Sequence, residues 1–229
     1  MLGRAMVRTA TCVYHFILLN WYIFLNYYVP QQGTIFQGGA QSKYLTLLNL
    51  LLQAVYFGVA CLDDVLKRIK RKKDIKFITA LRDLLFATLA FPVCTFVFLM
   101  FWTIFLYDRE LVYPKLLDGI LPAWLNHSVH TFILLFSLIE IILRPHQYPS
   151  KKTGLILLAV GSIGYISRVL WLHSKTGHWV YPVLAKLSPV GLAAFFFLSY
   201  SLTASLFLLG ERLNHWKWGD KKLPRRKME

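Results

Sequence analysis

The chain is poor in acid and in cysteine. Its 229 residues hold 11 aspartates and glutamates against 26 lysines and arginines, and only three cysteines. Cys12, Cys61 and Cys94 cannot build a disulfide framework, which excludes a stapled secreted scaffold. No glycine-rich phosphate loop and no G-x-S-x-G elbow occurs, so two common nucleotide and ester chemistries lack their usual motifs. No internal repeat of useful length is visible. What the chain does have is apolar surface: 56% hydrophobic residues and a mean hydropathy of +0.49, with a net charge of +15. One soluble core of this length could not hide that much apolar area, whereas a polytopic membrane protein needs it. A high pI also raises nucleic acid, but the charges lie at loop edges beside aromatics, with no basic helix face or recognition motif, so no nucleic-acid partner is expected.

A bilayer demands about 20 mostly apolar residues per helix. Six stretches meet it: Ala10–Val29, Lys43–Leu62, Leu84–Leu106, Trp124–Leu143, Gly154–His173 and Val190–Gly210. The expected fold is therefore all-α, a single domain over residues 1–229 with six transmembrane helices. Tyr27, Tyr28, Trp102, Tyr107, Trp124, Trp171 and Trp179 gather at span ends, where amphipathic rings favour the headgroup zone. Pro92, inside the third span, should kink it or leave a carbonyl for a neighbour to satisfy.

Orientation follows from the basic residues. A run at Lys67-Arg68-Ile69-Lys70-Arg71-Lys72-Lys73 separates two spans, and loops rich in lysine and arginine resist translocation. With that turn in the cytosol, 20 of the 26 basic residues fall on the cytosolic side, five outside, and Arg168 within a span. Both termini are then cytosolic. The first span reads as a retained helix, because His15, Asn20 and Asn26 interrupt it and no small-residue cleavage site follows. Cys12 and Cys61, near cytosolic helix ends, are candidates for palmitoylation or plain small core residues.

Ionisable groups inside hydrocarbon are expensive and so are functional candidates. Thr46, Asn49 and Gln53 share one face of the second span, with Thr46 about one turn below the outer surface. His127 and His130 lie one to two turns down the fourth span, and Arg168 sits at a similar level in the fifth; His15 and Glu140 belong to the cytosolic half. A hydroxyl and an imidazole at one depth suffice for nucleophilic acyl transfer, and desolvation favours the neutral imidazole that a base requires. The same residues also fit structural roles, since buried threonine bonds its own backbone and buried histidine packs between helices. A metal at His127 and His130 lacks nearby carboxylates, so none is expected. The sequon Asn126-His127-Ser128 starts at the membrane edge, where a glycan has no room.

Several blocks, in order and over nearly the whole chain, resemble the androgen-induced-gene family of multipass membrane proteins. They are Tyr44–Val55, Leu89–Val93, Tyr113–Asp118, Trp124–Thr131, His146–Ser150, Gly177–Pro182 and Leu208–Glu211. The resemblance implies an atypical threonine hydrolase cleaving fatty acid esters of hydroxy fatty acids. The family's threonine falls on Thr46 and its histidine on His130, the two residues that depth alone pairs. Arg168, Asn49 and His127 are the expected substrate-binding residues, Arg168 either meeting a substrate carboxylate or snorkelling to headgroups. The implied partners are the bilayer and a lipid with two acyl chains; no cofactor is implied, and the location is the plasma membrane and/or the endoplasmic reticulum. The rival class is a nonenzymatic membrane scaffold or receptor-like regulator of coagulation-related partners.

Overall fold

The computed structural model describes residues 2–33, 43–69 and 76–219, and every regular element among them is helical. Helix α1 runs Leu2–Tyr28 and α2 runs Leu45–Ile69. Helix α3, Lys76–Leu85, passes through a π-helical turn at Phe86–Ala90 into α4, Phe91–Asp108. Short 3-10 turns at Arg109–Leu111 and Lys115–Gly119 lead to α5, Ala123–His130, and α6, Phe132–Leu143. Helix α7 spans Lys151–Thr176, α8 is the single turn Pro182–Ala185, and α9 spans Pro189–Trp218.

Local chemistry sets these limits. Pro30, inside the 3-10 turn Val29–Gln31, lacks the N–H that a continuing α1 would need. Ser150 Oγ accepts from the Thr153 N–H at the start of α7, and Gly177 closes that helix at φ 71°, a conformation open to glycine. Ser188 Oγ caps α9 through the Gly191 N–H, followed by proline at the first helical position.

Four helical stretches are long and apolar enough to cross a membrane: Leu45–Ile69, Lys76–Leu111, Lys151–Thr176 and Pro189–Trp218. The pair α5 and α6, bent by 41°, makes a fifth if taken as one span. Six were expected. The shortfall is α1, which has the length, at 27 residues, but whose apolar character is diluted by His15, Asn20, Asn26 and its tyrosines. Its outward side is nonetheless apolar, with Phe16, Ile17 and Ile23 exposed. Most helices outrun the apolar windows that announce them; α2 continues to Ile69 and α9 to Trp218. The basic residues Lys70–Lys73 and the tail from Asp220 lie outside the described residues.

The core joins Tyr22 and Leu25 of α1 to Tyr56 and Phe57 of α2, Phe91 of α4 and Ile133 of α6. Two glycines permit close helix crossings. A Cβ at Gly154 would fall 2.3 Å from the Phe207 ring, and one at Gly210 would fall 2.7 Å from Phe91 and 2.6 Å from the Tyr148 hydroxyl.

The end of the bundle where α2 stops and α3 starts is tied by buried charge. Asp63 accepts from Arg82, from Lys67 and Thr79 at 2.6 Å each and from Arg144 at 2.7 Å. His15 bridges Asp64 at 2.6 Å and Glu140 at 2.9 Å, while Tyr56 donates to Glu140 at 2.7 Å. His146 reaches Asp83 at 3.1 Å and stacks on Phe86 with centroids 4.0 Å apart. Each carboxylate therefore has partners, as burial demands. Asp63 lies 17 residues along α2 from Thr46, about 25 Å from the site described next, and Tyr56 and Glu140 are the members of the network nearest to it, about 15 Å away.

Candidate active site

A cavity of about 610 Å³ opens among α2, α4, α7 and α9, closed over by the 112–121 segment and by α8. Its walls are mainly leucine, valine, isoleucine and phenylalanine, and the polar side chains among them include Thr46, Asn49, His130 and five tyrosines, Tyr181 one of them. That size lies within the range of small-molecule sites.

Thr46 and His130 meet in the wall. Thr46 Oγ1 is 3.3 Å from His130 Nε2 across a sequence separation of 84. The other ring nitrogen, Nδ1, donates to Asn126 Oδ1 at 2.7 Å, with the Asn126 carbonyl at 3.2 Å as a second acceptor. Both neighbours of Nδ1 are pure acceptors, so the proton sits on Nδ1 and Nε2 is left with its lone pair facing the hydroxyl. The Phe101 ring lies flat on the imidazole, 3.5 Å between centroids and 7° between planes, and fixes its tilt.

Two backbone irregularities set this geometry. The first is the break at Thr131 (φ −103°, ψ −55°) between α5 and α6. Thr131 Oγ1 accepts from Trp102 Nε1 at 3.2 Å and lies 3.0 Å from His127 Nδ1. A β-branched residue held from two sides draws the backbone off its helical path and turns the end of α5, with His130, toward α2. The second is the π turn before Pro92, where the Ala90 carbonyl accepts from Gln53 Nε2 at 3.0 Å. Pro92 follows directly on this turn, and α2 reaches a carbonyl within it, that of Ala90, two residues before the proline.

The start of α2 is pinned as well. The Leu45 N–H donates to the Tyr181 hydroxyl at 2.8 Å, and Tyr165 lies 3.2 Å from both that hydroxyl and the Lys43 carbonyl. Burial raises the Tyr181 phenol above its usual range, so at neutral pH it keeps the proton it shares in this chain. Thr46, one residue on, sits in the first turn of α2, at the positive end of the helix dipole.

Of the other expected residues, Asn49 is fully buried and lines the cavity. His127 and Arg168 do not line it. His127 is exposed, turned to Thr131, with its ring stacked 5.5 Å from Trp102. Arg168 is half-buried, and α7 presents Leu158, Gly161, Ser162, Tyr165, Ile166 and Val169 to the cavity, a helical stripe that passes it by. Depth in the membrane orders residues along a helix but not around it. Asn126 was not anticipated; its position four residues before His130, one turn back on the same face, is the signal that finds it. Its side chain is buried, with Oδ1 against His130 Nδ1. Among the described residues, no cluster of three or more histidine, cysteine or acidic side chains is arranged to hold a metal ion. Cys12 and Cys61 are half-buried and free, and Cys94 is buried.

Residues 10–215 match the family model described as FAR-17a/AIG1-like protein. The human androgen-dependent TFPI-regulating protein is 65% identical, over 97% of this chain and 99% of its own length. The human androgen-induced gene 1 protein is 42% identical over 90% of each chain. A UPF0641 membrane protein of Schizosaccharomyces pombe is 26% identical over 75% of this chain and 74% of its own. No solved structure matches significantly.

Proposed function

Since the chain belongs to the FAR-17a/AIG1-like family of membrane proteins, we propose that it is an intramembrane ester hydrolase acting on fatty acid esters of hydroxy fatty acids, with Thr46 as nucleophile and His130 as base. The observation that carries this reading is the 3.3 Å approach of Thr46 Oγ1 to Nε2 of His130 in the wall of an apolar cavity. Thr46 Oγ attacks the branching ester carbonyl as its proton passes to Nε2. The tetrahedral centre collapses, the ester C–O bond breaks, and Nε2 returns the proton to the departing hydroxy fatty acid. Water then adds to the acyl carbon, giving one proton to Nε2, and Thr46 leaves with that proton as the free fatty acid forms. The sum is one ester and one water converted to one acid and one alcohol. A substrate with two acyl chains enters from lipid without desorbing into water.

The topology that suits this reading has six spans with α1 as the first, both termini cytosolic, and Thr46 in the half away from the cytosol, in the plasma membrane and/or the endoplasmic reticulum. The charge asymmetry and the apolar outer side of α1 support it. The test is labelling by a fluorophosphonate probe, with ester hydrolysis in parallel. Wild type and Thr46→Ser should label and turn over, while Thr46→Ala and His130→Ala, at equal expression, should do neither. Wild-type turnover in Thr46→Ala would refute the mechanism. The second reading, a nonenzymatic regulator, draws on the TFPI-regulating name of the relatives. It predicts that Thr46→Ala leaves any cellular coagulation response intact.

A further inference from the structure

The side chain of Asn49 has an unusual position for a polar group inside a membrane bundle. It is fully buried, it lines the same cavity as Thr46 and His130, and its Nδ2 has no hydrogen-bond partner. Leaving such a donor unpaired costs about 1–3 kcal/mol.

Which end of the amide is unpaired follows from the neighbours. Gln53 Nε2 donates to the Ala90 carbonyl at 3.0 Å, and a carbonyl can only accept, so the Gln53 atom there must be its NH2. The same Nε2 lies 3.2 Å from Asn49 Oδ1. Asn49 therefore turns its oxygen to Gln53, and its NH2 group is the unpaired one. The Ala90 carbonyl belongs to the π turn beside Pro92, so a backbone irregularity in one span sets the polarity of an amide in another.

Asn49 follows Thr46 by three residues on α2, which places the two side chains on one helix face about 5–6 Å apart at Cβ. When Thr46 Oγ attacks an ester, the carbonyl oxygen becomes an anion within a few ångströms of that hydroxyl and needs a donor that is already in place. Resting on the hydrolase reading above, we propose that the Asn49 side-chain NH2 is the oxyanion donor of this site, oriented for the task by Gln53 and the Ala90 carbonyl. The missing acceptor is then the charge that develops in the reaction, and the group becomes fully paired only in the transition state.

The experiment uses the full chain in nanodiscs, with a p-nitrophenyl ester of a medium-chain fatty acid as substrate and a trifluoromethyl ketone as the tetrahedral mimic. Asn49→Ala should lower kcat about 10²- to 10³-fold. KM should stay within about twofold, and affinity for the trifluoromethyl ketone should fall with kcat, while affinity for a free fatty acid, which carries no tetrahedral oxyanion, is unchanged. Asn49→Leu guards against a cavity artefact: it keeps about the same volume but carries no hydrogen-bond donor, and it should lose turnover as fully. A purely structural Asn49 would change melting temperature and expression and weaken both inhibitors alike, and that result overturns the proposal. Full kcat and ketone affinity in Asn49→Ala, beside an active wild type, overturns it while leaving the hydrolase reading intact. A wild type with no Thr46-dependent turnover overturns both.

Discussion

Glu140→Gln separates what holds the bundle together from what the cavity does. The carboxylate has no solvent exposure, bonds His15 Nε2 at 2.9 Å and accepts from Tyr56 at 2.7 Å. A glutamine keeps the shape and the Tyr56 bond but removes the charge facing His15. Breaking a buried pair from one side costs about 3–5 kcal/mol, and the conserved shape puts this case near the lower figure. For a chain of 229 residues each kcal/mol corresponds to about 2–4 °C, so the melting temperature should fall by about 6–12 °C. Glu140 lies ten residues beyond His130, about 15 Å along the α5–α6 span, and makes no contact with the cavity. Turnover per folded molecule at 20 °C should therefore stay within about twofold of wild type. The assay pairs a thermal melt in nanodiscs with initial-rate hydrolysis of the same sample. A shift under about 2 °C would mean that the pair contributes little. Turnover lost without a change in melting temperature would mean that Glu140 acts in the chemistry, and the division between the two ends of the bundle would be wrong.

Asn126→Ala removes the 2.7 Å partner of His130 Nδ1 but leaves the backbone carbonyl at 3.2 Å, so kcat should fall about tenfold rather than vanish, a partial loss readable in steady-state hydrolysis. Full activity would show that Asn126 does not orient the ring. Tyr181→Phe deletes the acceptor of the Leu45 N–H; loss of about 1 kcal/mol of positioning should lower kcat about fivefold with expression unchanged, and a variant indistinguishable from wild type would refute the role given to that contact. Epitope tags at the two termini should be reached by antibody only after permeabilisation, and staining of either end on intact cells would invert the topology.

The helical class and most spans are legible in the sequence because they follow from a quantity that adds along a chain: apolar length. The pairing of Thr46 with His130 is legible for the same reason, since depth counts residues from a membrane face. What escapes is angular. Arg168 and Thr46 sit at one level, yet the α7 stripe that lines the cavity passes Arg168 by. The break at Thr131 carries no proline or glycine to announce it; it arises where a hydroxyl from one span meets Trp102 from another. Pro92 marks a disturbed stretch of the third span, but nothing in the sequence says that Gln53 reaches the Ala90 carbonyl. The first span was overcounted in apolar character, since His15 and its asparagines belong to contacts within the bundle and at its surface as much as to lipid.

The cavity lies between helices whose outer faces are themselves apolar, with Ile156, Val160 and Ile163 on α7 and Val190, Phe197 and Leu198 on α9 exposed. On the hydrolase reading, a lipid that reaches Thr46 from the bilayer arrives in two dimensions, and the abundance it presents is its share of the lipids rather than its amount per litre. Half-saturation then has the units of a mole fraction. Diluting the same quantity of substrate with inert phospholipid slows the reaction, whereas diluting the vesicles with buffer leaves the rate per protein unchanged.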